Sequence, residues 1–217
     1  MATSQAADPR MSQIALPLDW PADETDADFI VSPCNAVAVR HLEHVGTWPV
    51  WATLLVGPRK SGRSLLGRIF ALKSHGTLID NAEEQGEDRI FHAWNMAQEA
   101  RRPLLIIADR APPEWKPRLA DLRSRLAATP LVRIDQPDDA LIDALIERLL
   151  AQRGILTRPD FRAYATARIE RSYIAVMRFV DMVDHLALEK RGTKIAIPLA
   201  KRVLAEMGVI DESPVLF

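Results

Sequence analysis

The sequence predicts an α/β core built on a parallel sheet, followed by a small all-helical unit. Three observations predict it. Short apolar runs, WATLLV at 51–56 and LLIIA at 104–108, with a further strand-like segment, LVRI at 131–134, alternate with segments of helical periodicity. That is the pattern of strands covered on both faces. A glycine-containing loop, Gly57-Pro58-Arg59-Lys60-Ser61-Gly62-Arg63-Ser64, links the first run to a helix-like segment. Beyond Gln136-Pro137 the strand pattern stops and four helical segments follow.

Taken in order, residues 1–28 lack periodicity and carry Pro17, Pro21 and the acids Asp19, Asp23, Glu24, Asp26 and Asp28; they read as an arm. A short helix over 35–45 places Ala36, Val39 and Leu42 on one face. A strand at 51–56 leads through the glycine loop into a helix over 64–73. A second strand is expected at 77–80, a helix over 87–101, and strands at 104–108 and 131–134. The interval between Ser64 and Thr77 admits one helix and a turn, so the sheet is expected to be one strand short. Helices over 138–153, 159–168, 171–190 and 198–207 complete the chain, with Asp138 and Asp139 as a start signal and Gly154 as a stop. The expected units are an arm (1–28), an α/β nucleotide-binding core (29–136) and a helical lid (137–217).

Composition excludes several classes. At 217 residues and 48% apolar the chain can bury a substantial core. With 28 basic and 29 acidic residues its net charge is −1, which argues against a dedicated DNA-binding surface. The single cysteine, Cys34, excludes an internal disulfide and a cysteine-based metal cluster. No run approaches the ~20 apolar residues that span a bilayer, so the expectation is a soluble, cytoplasmic protein without a membrane partner. The five histidines show no metal spacing.

The loop at 57–64 matches the phosphate-cradling pattern G-x-x-x-x-G-K-[ST] except at Arg63. Glycines let the backbone curl so that successive N–H groups and the helix dipole face phosphate oxygens. Gly57, Pro58, Ser61, Gly62, Arg63, Ser64 and Leu65 are therefore candidate nucleotide-binding residues. Ser64 stands where a magnesium-binding hydroxyl belongs. Arg63 replaces a compact ammonium by a planar fork, which argues for binding without efficient hydrolysis. Leu78-Ile79-Asp80-Asn81 is a strand end with Asp80 as the second magnesium candidate. Asn81 stands where a general base is usual, and an amide cannot activate water. ADP or ATP, with magnesium, is the expected cofactor.

In the arm, Gln13-Ile14-Ala15-Leu16-Pro17-Leu18 resembles the short peptide by which bacterial replication proteins dock on the sliding clamp. Gln13 offers donor and acceptor together, Leu16 and Leu18 fill an apolar pocket, and Pro17 stiffens the backbone.

The ordered set Ile90-Phe91-His92-Ala93-Trp94-Asn95, then 104–113, then Asp121-Leu122-Arg123-Ser124-Arg125-Leu126, resembles the AAA+ core of the replication initiator DnaA, and more closely the shorter Hda family of DnaA regulators. The resemblance spans about residues 13–205. It implies an AAA+ P-loop core, a parallel sheet flanked by helices, followed by a small all-α lid. It implies that Asn35 lies beside the adenine, that Asp109 is the sensor of the γ-phosphate, and that Arg171, opening a lid helix, is a second sensor. It also implies that Arg125 is an arginine finger acting in trans on a neighbour's nucleotide. The implied partners are the β sliding clamp and DnaA, with DNA reached only through the clamp and a homodimer left open. DnaA's helix-turn-helix domain has no counterpart expected here. The implied function is an adaptor that promotes hydrolysis of DnaA-bound ATP and so restrains chromosome initiation. Two other readings stay open: an intrinsic, clamp-loader-like ATPase, and a nucleotide-free clamp-binding module.

Overall fold

A computed structural model of the chain describes residues 29–189 and 195–210; the candidate clamp peptide, with Gln13, Leu16, Pro17 and Leu18, lies outside them. The elements run α1 (Ala36–Glu43), β1 (Ala52–Val56), α2 (Arg63–Ser74), β2 (Thr77–Ile79), α3 (Glu87–Ala100), β3 (Leu104–Ala108), α4 (Ala120–Ala128) and β4 (Leu131–Arg133), then α5 (Asp139–Gln152), α6 (Pro159–Thr166), α7 (Tyr173–Glu189) and α8 (Ile197–Glu206).

Four strands form one parallel sheet in the order β2-β3-β1-β4. Every residue of β1 and β3 is buried, the consequence of helices covering both faces. Leu54, Val56, Leu104 and Ile106 point to one face, against Ile90 and Trp94 of α3 and Leu122 and Leu126 of α4. Leu55, Leu105 and Ile107 point to the other, against Leu42 of α1, Leu66 and Phe70 of α2, and Leu141 of α5. The chain goes from α2 directly into β2, as the short interval required, so β2 forms one edge of the sheet.

The topology places a site. After β1 the chain crosses to β2 and β3 on one side, and later to β4 on the other. Ligands of doubly wound sheets bind at the carboxyl ends of the strands where the order reverses. The loop at 57–62 leaves β1 at that point.

The last four helices bury their own cluster: Ile142, Ile146 and Leu150 of α5, Phe161 of α6, Val176, Phe179 and Val183 of α7, and Val203 and Leu204 of α8. Local signals explain their limits. Asp138 caps α5 by accepting from the Leu141 N–H at 2.8 Å, Pro159 occupies the first turn of α6, and Gly154 turns the chain at φ 74°. Tyr173 ties this bundle to the sheet: it is buried beside Leu141, and its hydroxyl donates to the Asp135 carbonyl at 3.1 Å. Burial and a hydrogen bond with Cys34 push that phenol's pKa well above its ordinary value.

Candidate nucleotide site

The loop after β1 is shaped by close approach. A Cβ on Gly57 would lie 2.8 Å from the Ile134 carbonyl oxygen, so only glycine lets β1 turn past β4. Lys60 (φ 66°) and Gly62 (φ 84°) are left-handed and curl the loop into the N-terminus of α2. No side chain caps that terminus, although its first N–H groups need acceptors. Ser61 is 6% exposed and its Oγ has no hydrogen-bond partner among the described residues. An uncapped twelve-residue helix and an orphaned buried hydroxyl at one point fit an anion such as a phosphate.

Arg63 is committed elsewhere. Its guanidinium is 10% exposed; one amino group donates to the Ala108 carbonyl and the other to Asp109 Oδ1 at 2.5 Å. Arg59 donates to the second oxygen of Asp109 at 3.2 Å. The hydrogen bond from Arg63 holds the Asp109 carboxyl below the usual carboxylate range, against the opposing effect of burial. Glu83 fixes the backbone here, accepting from the N–H groups of Asp109 and Arg110 at 2.7 and 2.8 Å. The loop residue and the strand-end acid are thus brought together, with Asp109 taking the place of an external anion for both arginines.

Asp80, at the end of β2, accepts from the N–H of Asn81 at 2.9 Å. Asn81 is itself left-handed at φ 49°, a conformation asparagine tolerates better than most residues. Ser64 opens α2 as its second residue and is half-buried, as is Leu65. Among the described residues no group of three or more His, Cys, Asp and Glu could by itself hold a metal. Magnesium at Ser64 and Asp80 would need phosphate and water to complete its shell. Asn35 is 2% exposed. It accepts from the Ser32 N–H and donates to the Ile30 carbonyl, both at 2.9 Å, and so fixes the segment that leads into α1.

A cleft of about 560 Å³ separates the loop from α7, with Arg59 and Lys60 on one wall and Ile174, Met177, Arg178 and Met182 among the residues on the other. Arg171 is not among them: it is exposed and pairs with Asp139 of α5 at 2.9 Å. Arg178 is the α7 arginine that faces the loop, and sequence reading missed it. Its signal was the stripe 174, 177, 178, 181, which lies on the face of α7 opposite the buried 176, 179, 180, 183. Glu83 carried no comparable signal, since its partners are backbone atoms.

Arg125 lies on α4 and takes no part in this cleft. Its guanidinium carbon stands 4.7 Å from the ring centres of both Phe91 and Trp94 on α3, and its Nε is buried without a hydrogen-bond partner. Trp94 donates to Thr129 Oγ1 at 3.0 Å, and Thr129 donates to the Arg125 carbonyl at 2.8 Å. The neighbouring Arg123 donates to the carbonyls of Pro117 and Arg118.

The chain matches no protein-family profile. Its fold is that of AAA+ proteins, as comparison with solved structures shows. Domain III of the Thermotoga maritima replication initiation protein DnaA superposes with a TM-score of 0.69 at 14% identity, over 85% of this chain and 96% of that one. AMPPCP-bound DnaA from Aquifex aeolicus gives 0.56 at 18% identity, over 76% and 64%. The Thermotoga maritima RuvB Holliday junction branch migration motor gives 0.62 at 12% identity, over 87% and 74%. At 12–18% identity these likenesses show the fold alone. No helix among the described residues is long and apolar enough to cross a membrane.

Proposed function

We propose that the chain is an Hda-like adaptor, which docks on the β sliding clamp through Gln13–Leu18 and promotes hydrolysis of ATP bound to DnaA. The observation that carries this reading is the division of labour between two arginines. Arg63, at the position where a phosphate loop keeps its reactive cation, is spent on Ala108 and Asp109. Among the described residues Arg125 has no carboxylate partner and stands over the rings of Phe91 and Trp94 instead. A chain built this way favours holding a nucleotide over cleaving it, and keeps a cation for another molecule's reaction.

ADP or ATP would be held by the N–H groups of 57–65 and the Ser61 hydroxyl. Arg178 would face the phosphates from the lid, and Asn35 would order the backbone beside the base. Ser64 and Asp80 would supply protein ligands to magnesium. The bound nucleotide would add rigidity between sheet and lid. Chemistry then falls on the neighbour's ATP. Arg125 presents a delocalised cation to charge developing on the transferring phosphoryl oxygens, a contribution worth 10³–10⁵ in rate in other nucleotide hydrolases.

The test is DnaA-dependent ATP hydrolysis measured with clamp loaded on DNA. Adding this chain should raise the rate by about a thousandfold or more, the low side of the arginine-finger range. Ala at Gln13, Leu16 and Leu18 should abolish both clamp binding and stimulation. Hydrolysis that rises equally without DnaA would make the chain an ATPase in its own right. Clamp binding with no stimulation would leave only a docking module.

A further inference from the structure

On the α1–α2 side of the sheet lies a second concavity of about 560 Å³, walled mainly by Val31, Val39, Leu42, Leu66, Ile69 and Phe70. It shares no lining residue with the cleft at the loop, although Phe29 at one end of it abuts Gly62 of that loop. Its far end is closed by Trp51 and Pro103, at the amino ends of β1 and β3, whereas the phosphate loop sits at the carboxyl ends. Lys73, Arg101 and Glu43 stand around it. Its lining is predominantly aliphatic and aromatic, and Val31 is 57% exposed.

We propose that this groove takes the apolar side chains of the chain's own segment 14–20, Ile14, Leu16, Leu18 and Trp20, and so withholds the clamp peptide from the clamp. The inference rests on reading 13–18 as that peptide. Three observations select this occupant. The described chain begins at the groove, since Phe29 and Val31 line it. The linker is long enough: eight residues separate Trp20 from Phe29, and the nine Cα–Cα steps between them reach up to about 30 Å when extended, against about 18 Å for the length of α2. The charges also match, since Asp19, Asp23, Glu24, Asp26 and Asp28 flank the apolar residues while two of the three charged residues at the groove are basic. Leu16 and Leu18 cannot fill the groove and a clamp pocket together. The groove therefore competes with the clamp, and the apparent clamp affinity falls by the fraction of molecules in which the segment is free.

Two measurements on the full-length chain test this. A photo-crosslinking residue in place of Leu16 should form adducts with α1 and α2 of the same chain, at a yield independent of protein concentration. Separately, the pair Val31→Asp and Val39→Asp, which puts carboxylates beside an acidic segment, should raise clamp affinity about fivefold, as for a segment free in one molecule in five. Adducts between differently labelled copies would overturn the intramolecular occupant in favour of a second chain. Equal clamp affinity of variant and parent, with no adducts on α1 or α2, would overturn the groove and leave clamp docking intact. Clamp binding by neither protein, with the adducts present, would overturn the clamp reading and leave the groove occupant standing.

Discussion

At the residue scale, the role proposed for Arg125 is one in which chemistry and stability separate. Its stacking on Phe91 and Trp94 fixes the direction of the guanidinium without neutralising it. Arg125→Ala should reduce stimulation of DnaA's ATP hydrolysis by orders of magnitude while costing the fold only about 1–2 kcal/mol from the lost ring contacts. Arg125→Lys should fail as well, because an ammonium lacks the planar fork. Hydrolysis assays beside thermal melts check both, and full stimulation by Arg125→Ala would remove the finger from this residue. Arg123 is unsuited as a neutral control, because it holds the carbonyls of Pro117 and Arg118. His41 supplies a test of another kind. It stacks on Trp48 and shares a 2.8 Å hydrogen bond with the buried Thr53, and burial lowers its pKa below the ordinary value. The folded chain therefore binds this proton less readily than the unfolded chain. Its contribution is intact above about pH 6.5, the unfolded value, and declines as the pH falls below it. His41→Gln should flatten the loss of melting temperature between about pH 7 and 5.5. An unchanged slope would place the proton elsewhere.

At the element scale, the junction of β1 with its loop is the most constrained. Adding one methyl at Gly57 meets a backbone carbonyl that cannot rotate away. Gly57→Ala should cost about 1–3 kcal/mol and shift the loop from the start of α2. Calorimetry should then show nucleotide binding lost well before the fold is lost. Retained affinity would mean that the cradle lies elsewhere. The same element explains the coupling seen at Arg63. As the first residue of α2 it is aimed across the end of β1 toward Ala108 and Asp109, at the end of the adjacent β3. Asp109 in turn is tied to Glu83, in the segment that follows β2.

At the scale of the whole molecule, the cleft lies between the loop that follows β1 and α7 of the α5–α8 bundle. A ligand bound across it stabilises only the folded arrangement. At a hundred times its dissociation constant ADP should add about 2.7 kcal/mol, a rise of about 5–10 °C in melting temperature for a chain of this size. No shift with ADP or ATP would favour the nucleotide-free reading.

Strand and helix positions were legible in the sequence because each element signals through its own residues. The runs at 51–56 and 104–108 are apolar because both faces of β1 and β3 are covered, and Asp138, Pro159 and Gly154 mark helix ends by local backbone chemistry. The short step from Ser64 to Thr77 likewise limited the sheet. The strand–loop–helix junction at 57–64 was legible by spacing, and Arg63 by its departure from the G-x-x-x-x-G-K-[ST] pattern. The partner of each side chain was not legible. Arg63 meets Asp109 across 46 residues, Arg171 turns to Asp139 while Arg178 faces the loop, and Arg125 lies between two rings of α3. Those choices depend on which strands become neighbours and how the bundle seats on the sheet. Hydrophobic burial along the whole chain sets that packing, and no short stretch of sequence encodes it.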